Sequence, residues 1–225
     1  MSERLGTGRL VAWTAIVGIL ATLGYVGRFA GGKTPKEPLY RWDEFVGGLV
    51  QFLVLLAFML LVAIGVSKRD AFALRRPSSW RRAAGIALGV VVVVVVVSAA
   101  LDPVLNPNKE QGLTPHGWEP RHAAAFVANF VVVALLAPVV EELTFRGLGF
   151  TLLERFGRWP AIVLVGIAFG LAHGLVEALP PLVVFGMCLA YLRSRTGSVY
   201  PGMILHALYN GLVLLVAVKF FHTGH

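Results

Sequence analysis

Seven apolar stretches divide this chain: Leu10 to Gly27, Phe45 to Val66, Ala83 to Leu101, Ala123 to about Leu152, Ala161 to about Val176, Leu179 to Leu192, and Val199 to Val218. A helix of about 20 apolar residues crosses the hydrocarbon core of a bilayer, so the pattern predicts an all-α polytopic membrane protein with about seven transmembrane helices. The sixth stretch has 14 residues. It either recruits Pro180, Pro181 and Arg193 into its helix or is buried among the others. The eight valines from Val90 to Val97 favour strand in water, but an isolated strand in lipid leaves its backbone unpaired, so helix is expected there too. No internal repeat is visible.

Composition narrows the picture in the same direction. With 57% hydrophobic and 14% charged residues, the chain has no room for a soluble domain of useful size. The run from Leu10, preceded by Arg4 and Arg9, has the charge pattern of a signal peptide, but it is long and Gly27-Arg28 is a poor cleavage context; it reads as a retained first helix. Cys188 is the single cysteine, inside an apolar stretch, and reads as a small buried side chain.

The formal charge of +8 sits in the loops and gives no reason to expect a nucleic-acid partner. With the N-terminus inside, the cytoplasmic segments carry twelve basic residues: Arg4, Arg9, Lys68, Arg69, Arg75, Arg76, Arg81, Arg82, Arg155, Arg158, Arg193 and Arg195. The other side carries seven: Arg28, Lys33, Lys36, Arg41, Lys109, Arg121 and Lys219. Several of these are offset by Glu37, Asp43, Glu44, Asp102, Glu110 and Glu119. The positive-inside rule then favours a cytoplasmic N-terminus and an opposite C-terminus. The loop from Ser67 to Arg82, with six positive charges and Trp80, is expected against anionic lipid headgroups.

Ionisable groups inside a membrane are costly, about 2.5–3.5 kcal/mol each on insertion scales, and are candidates for function by default. The fourth stretch contains APVVEELTFRG, the fifth FGLAHG, the seventh ILHALYNG. Glu142 and Arg146, one turn apart, can neutralise each other. Glu141 then points about 100° away around the helix, free to face a cavity. Pro138 removes a backbone hydrogen bond and predicts a kink near the acids. Phe169 and His173, and His206 and Asn210, repeat the one-turn spacing on their helices. Counting about 1.5 Å per residue places Glu141, His173 and His206 at similar depth, so three helices can converge on one polar pocket. A desolvated carboxylate suits a general base, while His and Asn can donate hydrogen bonds to an oxyanion, which fits peptide-bond hydrolysis by activated water. Glu141, His173 and His206 are also a possible zinc ligand set, although no H-E-x-x-H is present. His116, His122, His222 and His225 read as solvated, and Gly170, Gly174, Gly202 and Gly211 as sites of close helix packing.

EELTFRG fits E-E-x-x-x-R, FGLAH fits F-x-x-x-H and HALYN fits H-x-x-x-N. In this order on membrane helices they resemble the CAAX-prenyl protease and bacteriocin-processing (CPBP, or Abi) family of intramembrane proteases, over about Ala134 to Gly211. The resemblance implies Glu141 as catalytic base, His173 as the residue that positions or activates water, and His206 with Asn210 as the oxyanion hole. Glu142, Arg146 and Phe169 would support them. It leaves open whether zinc on Glu141, His173 and His206 takes part. Residues 1–122 would form three accessory helices and residues 123–225 the catalytic core. The partners implied are membrane lipid and a peptide or membrane-anchored protein substrate: a C-terminal sorting signal, a peptide precursor or a CAAX-like terminus. Short loops and the charge bias point to the inner membrane of a prokaryotic cell. Two rival readings are a small proton-coupled transporter, weakened by the missing repeat, and a non-catalytic scaffold or immunity protein on the same fold.

Overall fold

A computed structural model of the chain describes residues 6–31, 37–105 and 118–220; Arg4, Lys33, Lys36, Lys109, Glu110, His116, His222 and His225 lie outside them. No strand occurs among the described residues, as the apolar pattern predicts. The helices are α1 (Thr7–Phe29), α2 (Trp42–Val62), a single turn α3 (Lys68–Ala71), α4 (Trp80–Leu105), α5 (Pro120–Phe156), α6 (Arg158–Ala172), α7 (Leu179–Thr196) and α8 (Tyr200–Phe220). Helices α1, α2, α4, α5 and α8 are long and apolar enough to cross a membrane. The two others expected to cross differ: α6 has only 15 residues, and α7, with Pro180 and Pro181 in its first turn, reaches 18 by continuing past Leu192 through Arg193 and Arg195 to Thr196. The valine run is helical, and Val92, Val95 and Val96 are more than half exposed toward the lipid side while Val90 and Val94 are buried.

Three helices differ from the sequence expectation. Helix α4 continues past Leu101, through Pro103, to Leu105, because proline so near a helix end removes little of the ladder. That lines up Val94, Ser98 and Asp102 at four-residue spacing. Helix α6 stops at Ala172 rather than near Val176. Gly174 turns the chain there with φ 63° and packs so closely on Gly24 that a Cβ on Gly24 would lie 3.0 Å from its Cα. Helix α5 is unbroken for 37 residues but contains two π-helical segments, Val132–Leu136 and Glu142–Gly149.

Contacts between distant segments fix which helix ends lie together. At one end Arg9 donates to the carbonyls of Val62 (3.0 Å) and Ile64 (2.8 Å). At the same end the Ser67–Arg82 segment is more than a charged loop: Phe72 and Ala73 are buried, with Phe72 against Gly147. Ser78 N donates to Thr196 O (3.1 Å), Val199 N to Ala73 O (3.3 Å) and Arg75 Nε to Gly197 O (2.7 Å). At the opposite end Tyr25 Oη donates to Leu175 O (3.0 Å), and Asn129 Nδ2 to Leu39 O (3.1 Å) and Arg41 O (2.9 Å).

Candidate active site

Helix α5 sets the geometry of the site through a defect in its own ladder. In the first π segment the N–H of Ala137 reaches back five residues to Val132 O. The next bond of that series would join Pro138 to Val133 O, and proline has no N–H. Asn210 Nδ2 on α8 supplies the missing donor, at 3.0 Å from Val133 O. Pro138 therefore produces a change of helical register, bridged by a side chain from another helix. Glu141 is the last residue of the short α-helical stretch Ala137–Glu141, between the two π segments. Single-turn π segments recur where helices carry functional groups.

The two adjacent glutamates end in different surroundings. The Glu142 side chain is fully buried, with Oε1 3.0 Å from Arg146 Nη1, also fully buried. Arg146 further donates from Nη2 to Gly186 O (3.1 Å) and lays its guanidinium 4.2 Å from the centroid of Phe169, a cation–π contact in a dry setting. Glu142 packs against Gly202, where any Cβ would collide with its carboxylate. Glu141, 14% exposed at its side chain, instead lines a cavity of about 540 Å³.

His206 links the two acids. Its Nδ1 lies 3.4 Å from Glu142 Oε1 and its Nε2 3.7 Å from Glu141 Oε2, with Phe185 edge-on at 5.1 Å between ring centroids. His173 is held differently: Nδ1 stands 2.7 Å from Phe169 O. A carbonyl can only accept, so Nδ1 carries the hydrogen and Nε2 of the neutral ring is left as an acceptor. Asn210, with one N–H engaged by Val133, has a second N–H available. The structure thus brings Glu141, His173, His206, Asn210 and Phe169 to the wall of one cavity and keeps Glu142 and Arg146 beneath it.

The proposed zinc ligands do not gather in the same way. Among the described residues, no three His, Cys, Asp or Glu side chains are grouped closely enough to hold a metal ion. Glu141 meets His206, while His173 engages the Phe169 carbonyl through Nδ1 and keeps Nε2 toward the cavity.

Residues 123–212 are similar to one known family. They match the family model described as type II CAAX prenyl endopeptidase Rce1-like, which spans all three motifs and agrees with the resemblance they carry. No curated protein and no solved structure matches the chain. The Rce1-like segment begins with α5 and ends on α8, one residue after the last motif glycine, and leaves out α1–α4.

The cavity nevertheless takes part of its wall from outside that segment: Phe52 on α2, and Val94, Ser98 and Asp102 on α4. Ser98 also hydrogen-bonds Tyr209. Sequence reading passes over these residues, although Ser98 is the first polar position after the valines. Phe185, against His206, gives no signal on an apolar background, whereas Asn129, which holds the Leu39–Arg41 segment, is a polar position in the fourth apolar stretch that sequence reading also passes over. His122 is exposed, as expected of a solvated residue.

Proposed function

We propose that this protein is an intramembrane endopeptidase that hydrolyses a peptide bond with water activated by Glu141. The observation that carries the reading is a cavity-facing carboxylate beside an imidazole, above a buried Glu142–Arg146 pair, in a chain whose residues 123–212 are Rce1-like. The family match over residues 123–212 supports a protease of the CAAX type in a multi-pass membrane protein; the assignment of roles is our own.

In this mechanism Glu141 accepts a proton from a water held also by His173 Nε2, and the water oxygen adds to the substrate carbonyl carbon. The second Asn210 N–H and an N–H at His206 Nε2 donate to the oxyanion. As the intermediate collapses the C–N bond breaks, and Glu141 returns its proton to the departing amine. The Glu142–Arg146 pair, with Phe169, fixes α5 against α7 so that the geometry is ready before substrate arrives. No metal is needed for any step. The membrane is the inner membrane of the cell, with the N-terminus cytoplasmic. The substrate is a peptide or membrane-anchored protein: a C-terminal sorting signal, a peptide precursor or a CAAX-like terminus.

The test compares membrane proteins from cells producing the wild type and Glu141→Gln at equal levels. The reading requires a shortened product present with the wild type and missing with the variant. Identical protein profiles, with a proton flux lost only in the variant, would instead establish a carrier.

A further inference from the structure

We infer that the cavity receives its substrate from the extracytoplasmic side, so that the chain it cuts has already been exported across the membrane. The inference rests on the protease reading for what happens in the cavity, and on independent observations for which way it faces.

The cavity is closed toward one end of the bundle. Past Glu141, every residue of α5 from Thr144 to Leu153 is buried, Gly202 is packed on Glu142, and Phe72 is packed on Gly147. Its lining runs the other way. Asp102 lies three residues from the end of α4, Leu175 in the turn after α6, and Pro181 in the first turn of α7. Along α4 the lining descends from Asp102 to Val94, about 12 Å of helix, and His173 sits near the mouth, two residues before Leu175.

The closed end is the basic one. Arg9 binds carbonyls at the C-terminal end of α2, and Arg75 and Ser78 tie the Ser67–Arg82 loop to the C-terminal end of α7. These contacts gather Arg9, Lys68, Arg69, Arg75, Arg76, Arg81, Arg82, Arg155, Arg158, Arg193 and Arg195 at one face of the molecule. The end with the mouth has Arg28, Arg41, Arg121 and Lys219 among its described residues. The positive-inside bias therefore assigns the sealed end to the cytoplasm and the mouth to the opposite side.

The lining also describes the guest. Phe52, Val94, Leu182, Phe185 and Val213 make it mainly apolar, its acids are Glu141 and Asp102, and it includes no Lys or Arg. An apolar stretch of an exported, membrane-anchored polypeptide fits; a cytoplasmic C-terminus, prenylated or not, would have to pass the packed basic end.

Single cysteines in a Cys188→Ala background test the direction. Leu175→Cys and the more exposed Val176→Cys report on the mouth, Ser78→Cys on the basic face. A membrane-impermeant maleimide should label Leu175→Cys or Val176→Cys in intact cells and Ser78→Cys only after permeabilisation; the reverse pattern overturns the inference. One anchored substrate is then displayed with its cleavage region outside, behind an export signal, or inside, without one. Cleavage at least tenfold greater outside is expected, and cleavage only of the inside form also overturns the inference. Labelling does not depend on proteolysis, so outside labelling with no cleavage of either form would reject the protease reading, and the inference about substrate with it, while leaving the orientation intact.

Discussion

Glu141 and Glu142 are neighbours of the same chemical type, and burial separates what they can do. Glu142 is fully enclosed with Arg146, so Glu142→Gln leaves a guanidinium buried without its counter-charge, a loss of about 3–5 kcal/mol for such pairs. The variant should melt earlier in detergent and accumulate less; an unchanged melting temperature would show that Arg146 finds compensation elsewhere. Asn210 has two tasks, closing the gap left by Pro138 and offering a hydrogen bond to the cavity. Asn210→Ala should lower kcat by about 10²–10³ with KM nearly unchanged. Asn210→Asp should be at least as damaging, because it sets an acceptor against both Val133 O and the developing oxyanion. Activity in Asn210→Asp that depends on added zinc would make position 210 a metal ligand. The charges themselves were legible in sequence because so few occur in apolar stretches. The partner of Asn210 was not, since it depends on a helical register that periodicity does not reveal.

Among the elements, α5 does most to define the site. The spacing of apolar residues marked it as one long helix and Pro138 as a perturbation, but two π segments leave hydrophobic content unchanged and so are silent in sequence. Pro138→Ala would restore an N–H and allow the helix to relax toward uniform α geometry, turning Glu141 relative to α8. We expect equal or higher thermal stability, since proline inside a helix costs about 3 kcal/mol, together with a clear fall in cleavage rate. Undiminished cleavage would show that the register change does not aim Glu141. The end of α6 was misplaced because Gly174 needed a left-handed turn and a backbone-to-backbone approach to Gly24, both long-range requirements. Helix α4 was cut short at Leu101 because Asp102 and Pro103 read as loop. Its extension adds Asp102 to the wall that Val94 and Ser98 give the cavity outside the Rce1-like segment.

At the scale of the whole molecule, the two ends of the bundle differ in charge and in packing. Reporter fusions in the Ser67–Arg82 loop and after His225 should report the cytoplasm and the opposite side respectively; a cytoplasmic signal from the second would contradict the seven-crossing arrangement. The polytopic helical fold was evident from the apolar stretches, whereas the cavity and its sealed end arise from side chains of six helices meeting and have no local signature. All of this geometry converges on Glu141 as the base that activates water. The most direct measurement is the cleavage rate of one purified substrate by wild type and Glu141→Gln, matched for amount and melting temperature, in the same lipid. The account predicts a loss of about 10²–10⁴-fold, the range for removing a general base; a rate within twofold of wild type would contradict it.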